Sequence, residues 1–233
     1  MAPAMAPALL AIETAGSGCS AAVLRGAEVL ASECRALRHG HAEVLLPMVE
    51  RVTEAAGLAP AQLDIVATAT GPGGFTGIRV GLAAAHGIAL AAGARLVGVT
   101  SFAAVAASTL AEGGRGCRVL LVALDSRRAD LYVEAFAAES GLPLAAPDAV
   151  LPERLADHVA GGARDGPLLL AGDAAEAAAA ALAGRVDFAL MPGSAPDALG
   201  VAAAALCQMQ SAATPGPVRP LYLRPPDVTM PRR

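Results

Sequence analysis

The densest chemistry-bearing pattern in the sequence is Gly71-Pro72-Gly73-Gly74-Phe75-Thr76-Gly77-Ile78-Arg79-Val80-Gly81. It falls where an apolar strand ends and a helical pattern begins, and Thr76 is placed to cap that helix. A glycine loop at such a junction exposes backbone N–H groups at a helix N-terminus, which can hold an anion. Gly71, Gly73, Gly74 and Thr76 would form the cradle. The spacing matches neither GxxxxGKS/T nor GxGxxG, so a tight structural crossing or a protein contact stands beside that reading. Two carboxylates, Glu13 and Asp125, each close an apolar strand. Acids so placed can orient water or Mg²⁺ around a phosphate, or accept hydrogen bonds from turn amides. Asp125 is also followed by Arg127 and Arg128 and reads equally as part of a local charge pair. His39 and His41 lie two residues apart, a spacing that points them in different directions on a helix and together only in an extended segment. His86, inside an alanine-rich helix, reads as a packing or interface residue.

Other chemistries are excluded by what the chain lacks. All 17 of its basic residues are arginine, and without lysine there is no Schiff base, no P-loop lysine and no lysine general base. With 21 acidic residues the formal charge is −4, which provides no broad basic surface for a nucleic-acid backbone. Cys19, Cys34, Cys117 and Cys207 are widely spaced and read as buried free thiols of a reducing compartment. There is no HExxH, no GxSxG and no local Ser/His/Asp grouping. The N-terminus has no basic segment before its short apolar run, and the alanine-rich stretches are interrupted below spanning length. No membrane segment is expected.

The elements that must position these residues follow from the periodicity. Ala8 to Glu13, Cys19 to Leu24 and Glu28 to Cys34 read as a meander of three strands. Ala42 to Ala56 has helical period, with Leu45, Met48 and Val52 on its apolar face. A strand at Leu63 to Thr70, a charge-poor helix from Ile78 to Ala92, a strand at Arg95 to Val99 and a helix capped by Thr100 or Ser101 complete the first half. Glu112-Gly113-Gly114-Arg115-Gly116 marks a boundary, giving expected units at residues 1–112 and 113–233. The plan then restarts: Val119 to Asp125 and Asp130 to Ala137 repeat the first strand pair, with Asp125 in the place of Glu13. A Pro-rich connection at 143–152, a helix to Val159, a strand at Leu168 to Ala171, an alanine-rich helix, a strand at Asp187 to Leu190, a helix to Gln210 and an extended proline-rich tail follow. The class is α/β, with mixed sheets flanked by helices.

GPGGFTGIRVG at 71–81, with LLAIET at 9–14, HAEVLLP at 41–47, LVGVTSFAAVA at 96–106, LVALDSRRADLYV at 121–133 and PLYLRP at 220–225, resembles the TsaB family of bacterial tRNA threonylcarbamoyladenosine (t6A) synthesis. The resemblance implies the two-lobed actin-like ATPase (ASKHA, ribonuclease H-like) fold. It also implies a noncatalytic, cytoplasmic scaffold that binds its paralogue TsaD, which transfers threonylcarbamoyl to adenosine 37 of tRNAs reading ANN codons. TsaE would join that pair, tRNA would be met only through the complex, and the chain alone would form a homodimer. It implies no cofactor of the chain's own and leaves open an ATP or ADP at the complex interface. The helices after the meander and after the glycine loop would pack on TsaD, through Leu45, Met48 and Val52 on one and Leu82, Ala85 and Ala89 on the other. A catalytic member of the clan carries an HxxxH metal pair on the first long helix. Here His41 is followed at i+4 by Leu45, so no metal is expected, and Glu13, His41 and Asp125 become vestiges of a cleft. Glu13 stands where the family usually has Asp. The alternative reading is an actin-like ATPase or phosphotransferase in its own right.

Overall fold

Strand β1 (Ala8–Glu13) has no polar side chain before its last residue, and both of its faces are buried. Such a strand needs a helical layer on each side. It pairs antiparallel with β2 (Gly18–Arg25), which pairs antiparallel with β3 (Glu28–Ala36), and on its other edge it runs parallel to β4 (Ile65–Ala69) and then β5 (Arg95–Val99). The order is β3-β2-β1-β4-β5. In this computed structural model the chain is described for residues 6–37, 39–113, 117–160, 167–191, 195–210 and 217–224.

The second sheet repeats the first strand for strand. Here β6 (Val119–Asp125) is central, antiparallel β7 (Leu131–Ala137) and β8 (Asp148–Val150) lie on one side, and parallel β9 (Leu168–Ala171) and β10 (Phe188–Leu190) lie on the other. Its order, β10-β9-β6-β7-β8, is the first order read from the opposite edge. The duplicated strand pair legible in the sequence is therefore a duplicated sheet. Strand β8 falls inside the stretch expected to be a bare connection, because three residues among prolines carry no measurable alternation.

Alternation along the central strands assigns the helices. Leu10 and Ile12 of β1 face α1 (His41–Ala55) and α2 (Phe75–Ala92), whereas Leu9 and Ala11 face α6 (Ala198–Gln210). On β6, Leu121 and Ala123 face α4 (Pro152–Val159) and α5 (Ala175–Leu182), whereas Leu120, Val122 and Leu124 meet α3 (Ser101–Ala111). The layers thus run helix, sheet, helix, sheet, helix, with α3 and α6 at the centre. There a Cβ on Gly200 would lie 2.6 Å from the Ala104 carbonyl oxygen, so only glycine permits the crossing at that distance. Phe102, fully buried on α3, belongs to the seam between the sheets, where burial of one such ring contributes about 1.5–3 kcal/mol.

Two local expectations meet different outcomes. Thr100 caps α3, its Oγ1 accepting from the Ala103 amide at 3.0 Å. Helix α2 begins three residues earlier than expected, at Phe75, with Gly74 as N-cap and no side-chain cap, so Thr76 lies exposed in the first turn and caps nothing. Its backbone position, one residue past N1, puts its hydroxyl out of reach of the free amides. By length and composition α2 could cross a membrane, but Ile78, Leu82, Ala85 and Ala89 pack it into the fold. Of the expected boundary residues, Gly114, Arg115 and Gly116 lie outside the described residues, as do Pro215, Pro225 and Pro226 of the tail.

Candidate functional site

The glycine junction is where β1, β4 and α2 converge. A Cβ on Gly77 would fall inside the van der Waals radius of the Thr14 carbonyl oxygen, one on Gly73 inside that of the Ala15 carbonyl oxygen, and one on Gly81 against Thr14 Oγ1. Thr14 Oγ1 donates to the Gly77 carbonyl at 2.8 Å, and the Gly74 amide donates to the Ala15 carbonyl at 2.7 Å. The amide of the N-cap residue is thereby satisfied within the chain. Gly71, at φ 99°, carries the turn itself and passes 3.0 Å, by its Cβ position, from the Leu221 carbonyl oxygen. The glycines serve close crossing of a helix over the end of β1, the second of the two sequence readings. Gly73 alone of the three loop glycines is exposed to solvent.

Beside this crossing lies a cleft between the two sheets, lined by Ala15, Gly16 and Ser17 from the β1–β2 turn, Pro72 and Gly73, and Leu124, Asp125, Arg127, Asp173 and Pro196 from the second half. Its volume is about 30 Å³, room for about one water molecule. Asp125 Oδ1 accepts from the Arg127 amide at 2.7 Å, and the Asp125 amide donates to Asp173 Oδ1 at 2.9 Å. Burial pushes the Asp173 carboxyl above its ordinary range. Arg127 holds a left-handed backbone, φ 60°, and its guanidinium crosses the cleft to donate to the Gly16 carbonyl at 3.1 Å. Asp125 lines this cleft, whereas Glu13 is buried behind the β1–β2 turn and absent from the lining; each carboxylate accepts from turn amides. Sequence reasoning missed Asp173 and the reach of Arg127. Asp173 had a signal, since it too follows the end of a buried strand.

Glu13 is fully buried, with Oε1 accepting from the Ala15 amide at 2.6 Å and the Gly16 amide at 2.9 Å. Removal from water outweighs those two bonds and raises its pKa to about 8, with Asp197 and Asp173 adding repulsion. A carboxyl raised in the folded state from a value near 4.5 stabilises the fold fully below that pH, and the contribution is lost as pH rises towards 8. Glu13→Gln keeps an acceptor for both amides and does not titrate. Between about pH 5 and about pH 8.5 the parent should lose about 2–4 kcal/mol of unfolding free energy relative to this variant, read from urea midpoints at each pH.

The histidines do not converge. His41 opens α1 half-buried and is absent from the cleft lining, His39 is exposed, and His86 Nδ1 donates to the Leu82 carbonyl at 2.8 Å. One turn beyond His41, Leu45 is buried in the core cluster of β1, β2 and α1. Among the described residues no group of three or more His, Cys, Asp or Glu side chains is placed to hold a metal. Of the cysteines expected to be buried, Cys19 is, Cys117 is half-buried, and Cys34 and Cys207, on the edge strand β3 and the last turn of α6, are exposed.

The six apolar residues expected to meet a partner are packed inside the chain. Leu45, Met48, Val52, Ala85 and Ala89 bury against the first sheet from α1 and α2, and Leu82 points to the core beneath them. An apolar helix face goes first to its own sheet, so these residues are not a surface for another protein. The outward faces of the same helices carry Leu46, 51% exposed, and Leu90, 86% exposed, with Ala83 and Gly87 also open to solvent. Helices α1 and α2 pack against each other.

Comparison with known proteins gives a consistent result. The family described as TsaD, tRNA N6-adenosine threonylcarbamoyltransferase, matches residues 35–162, more than half of the chain. A curated relative, the tRNA threonylcarbamoyladenosine biosynthesis protein TsaB of Escherichia coli K12, is 34% identical over 127 residues, 53% of this chain. The chain spans about half the length of that relative, 52%. A Pseudomonas aeruginosa protein described as similar to peptidase YEAZ superposes with a TM-score of 0.79 at 26% identity, covering 94% of this chain and all of the other. A ROK hexokinase from Thermus thermophilus superposes with a TM-score of 0.52 at 14% identity over 86% of this chain, and shows the two-sheet actin-like fold alone.

Proposed function

Because the chain belongs to the TsaB/YeaZ-like branch of the TsaD family, we propose that it is a noncatalytic cytoplasmic subunit that docks on its TsaD paralogue and supports threonylcarbamoyl transfer to adenosine 37 of tRNA. TsaE joins the pair, tRNA is met through the complex, and two copies associate through the same surface when the paralogue is absent. In this reading residues 1–112 and 113–233 are its two lobes, each built on one sheet, with α6 crossing to cover the first sheet and α3 crossing to pack on the second.

The observation that carries this reading is the outer face of α1 and α2. Leu90 and Leu46 stand out of a helix pair whose inner faces are already used. Three residues before Leu90 on α2, Gly87 has nothing within 4 Å of a built Cβ. A glycine in a helix interior costs about 0.8–1 kcal/mol against alanine, and no contact inside the chain accounts for it. Close approach of another helix does, since small residues let backbones come together. The missing second histidine, with Leu45 buried in its place, supports a noncatalytic role, as does a cleft of about 30 Å³ where small-molecule sites run to about 300 Å³ or more.

Reconstitution of adenosine 37 modification tests the role. Product formation by the purified paralogue should require this chain, and Asp125→Ala, which removes only a cleft carboxylate, should retain at least about half the parent rate. Such a change disturbs turn hydrogen bonds worth about 1–2 kcal/mol of stability and leaves the helix face intact. Loss of product with complex formation preserved would instead place chemistry or nucleotide sensing in this chain.

A further inference from the structure

The tail residues Val218 to Arg224 touch both halves of the molecule in order. Val218 packs in the core of the first sheet, 3.0 Å from where a Cβ on Gly98 of β5 would lie. The Leu221 amide donates to the Thr70 carbonyl at 2.8 Å, at the end of β4. Tyr222 stacks on Phe75 in the first turn of α2, with ring centroids 5.2 Å apart, and its hydroxyl accepts from Arg79 Nε at 3.1 Å. The Arg79 guanidinium lies 3.6 Å from the centre of the Phe75 ring, closing a three-residue cluster. Leu223 packs into the seam between the sheets. Arg224 then reaches the β6–β7 loop, where its Nε lies 3.0 Å from Asp130 Oδ2.

Asp130 is only 2% exposed, and Ser126 Oγ donates to its carbonyl and side chain from across the same loop. Its Oδ2 has no aligned hydrogen bond, so the contact with Arg224 acts through charge. A buried carboxylate oxygen depends on a cation held against it far more than an exposed pair does. The β6–β7 loop thus receives an arginine from the tail, and from its own turn it sends Arg127 back across the cleft to Gly16. Two arginine contacts running in opposite directions close one loop of the second sheet against the first.

We propose that Val218–Arg224 is a strap across the two sheets and that the Arg224–Asp130 pair is its clasp, so that releasing the clasp frees the β6–β7 loop and opens the interlobe cleft. The strap ties this opening to α2, because the same segment stacks on that helix's first turn two residues before the clasp. Anything that pulls on the tail or shifts the N-terminal turn of α2 changes how tightly the cleft is shut. The inference rests on contacts within this chain and holds whether or not the outer face of α2 docks a paralogue.

Hydrogen exchange on the full chain tests it, with Arg224→Gln as the first variant because the arginine side chain is 39% exposed and tolerates change better than its partner. Amides of residues 126–130 and of Gly16 and Ser17 should exchange about tenfold faster, as local opening without its charged contact requires, while β1 and β4 keep the parent's protection. Asp130→Asn should give the same map, and the double variant should add nothing to either single change. Should Asp130→Asn fail to fold, the Arg224→Gln map decides alone. Unchanged exchange at residues 126–130, acceleration spread evenly over both sheets, or additive effects in the double variant would overturn the strap.

Discussion

Gly77→Ala is expected to lower the unfolding free energy by about 3 kcal/mol and the thermal midpoint by about 6–12 °C. The new Cβ would collide with the Thr14 carbonyl oxygen, which belongs to backbone at the end of a fully buried central strand and cannot rotate away. Either α2 moves outward, breaking the 2.8 Å bond from Thr14 Oγ1 to the Gly77 carbonyl, or β1 is pushed into its own core. Alanine's better helix propensity returns only about 1 kcal/mol. Gly87 provides the control ten residues along the same helix. Nothing lies near its Cβ position, so Gly87→Ala should raise stability by about 1 kcal/mol. Differential scanning calorimetry of the two variants separates crossing from propensity, and equal midpoints for both would refute the account of the junction.

The second large effect belongs to Leu90. Leu90→Arg should weaken the complex with the TsaD paralogue about 100-fold, which corresponds to about 3 kcal/mol for a charge left unpaired in an apolar seam. Folding should be untouched within about 0.5 kcal/mol. The position is 86% exposed and lies in the last turn of α2, where a cation suits the helix dipole. An arginine at Leu45 or Leu82 cannot serve this purpose. Both side chains are buried against the first sheet, so a charge there attacks the fold before it reaches any partner.

This contrast shows what the sequence made legible. Periodicity located β6 and β9 to the residue, because strands buried on both faces read as unbroken apolar runs bounded by turn residues. The repeat of β1–β2 in β6–β7 was visible because an acid closes each first strand. Helix faces were harder. In α1 the apolar positions Leu45, Met48 and Val52 mark a stripe, but a stripe records that something covers it and not whether the cover is the chain's own sheet or another protein. The informative residues were the ones that broke the pattern outward, Leu46, Gly87 and Leu90. The cleft was half legible: Glu13 and Asp125 could be paired from the repeat, whereas Asp173 and Arg127 come together only once β9 is laid beside β6 and the β6–β7 turn takes up its left-handed residue. Thr76 misled because a threonine near a helix start usually caps it, and here close packing at Gly74 fixes the start instead.

The most direct test of a subunit that works by docking its outer α1–α2 face is sedimentation of this chain with the TsaD paralogue of the same organism, comparing the parent with Leu90→Arg. The account predicts a stable heteromeric complex for the parent and separate species for the variant at the same micromolar concentration, with equal thermal midpoints for the two free chains once both are diluted to monomers. A variant that folds and still sediments as the full complex would contradict it.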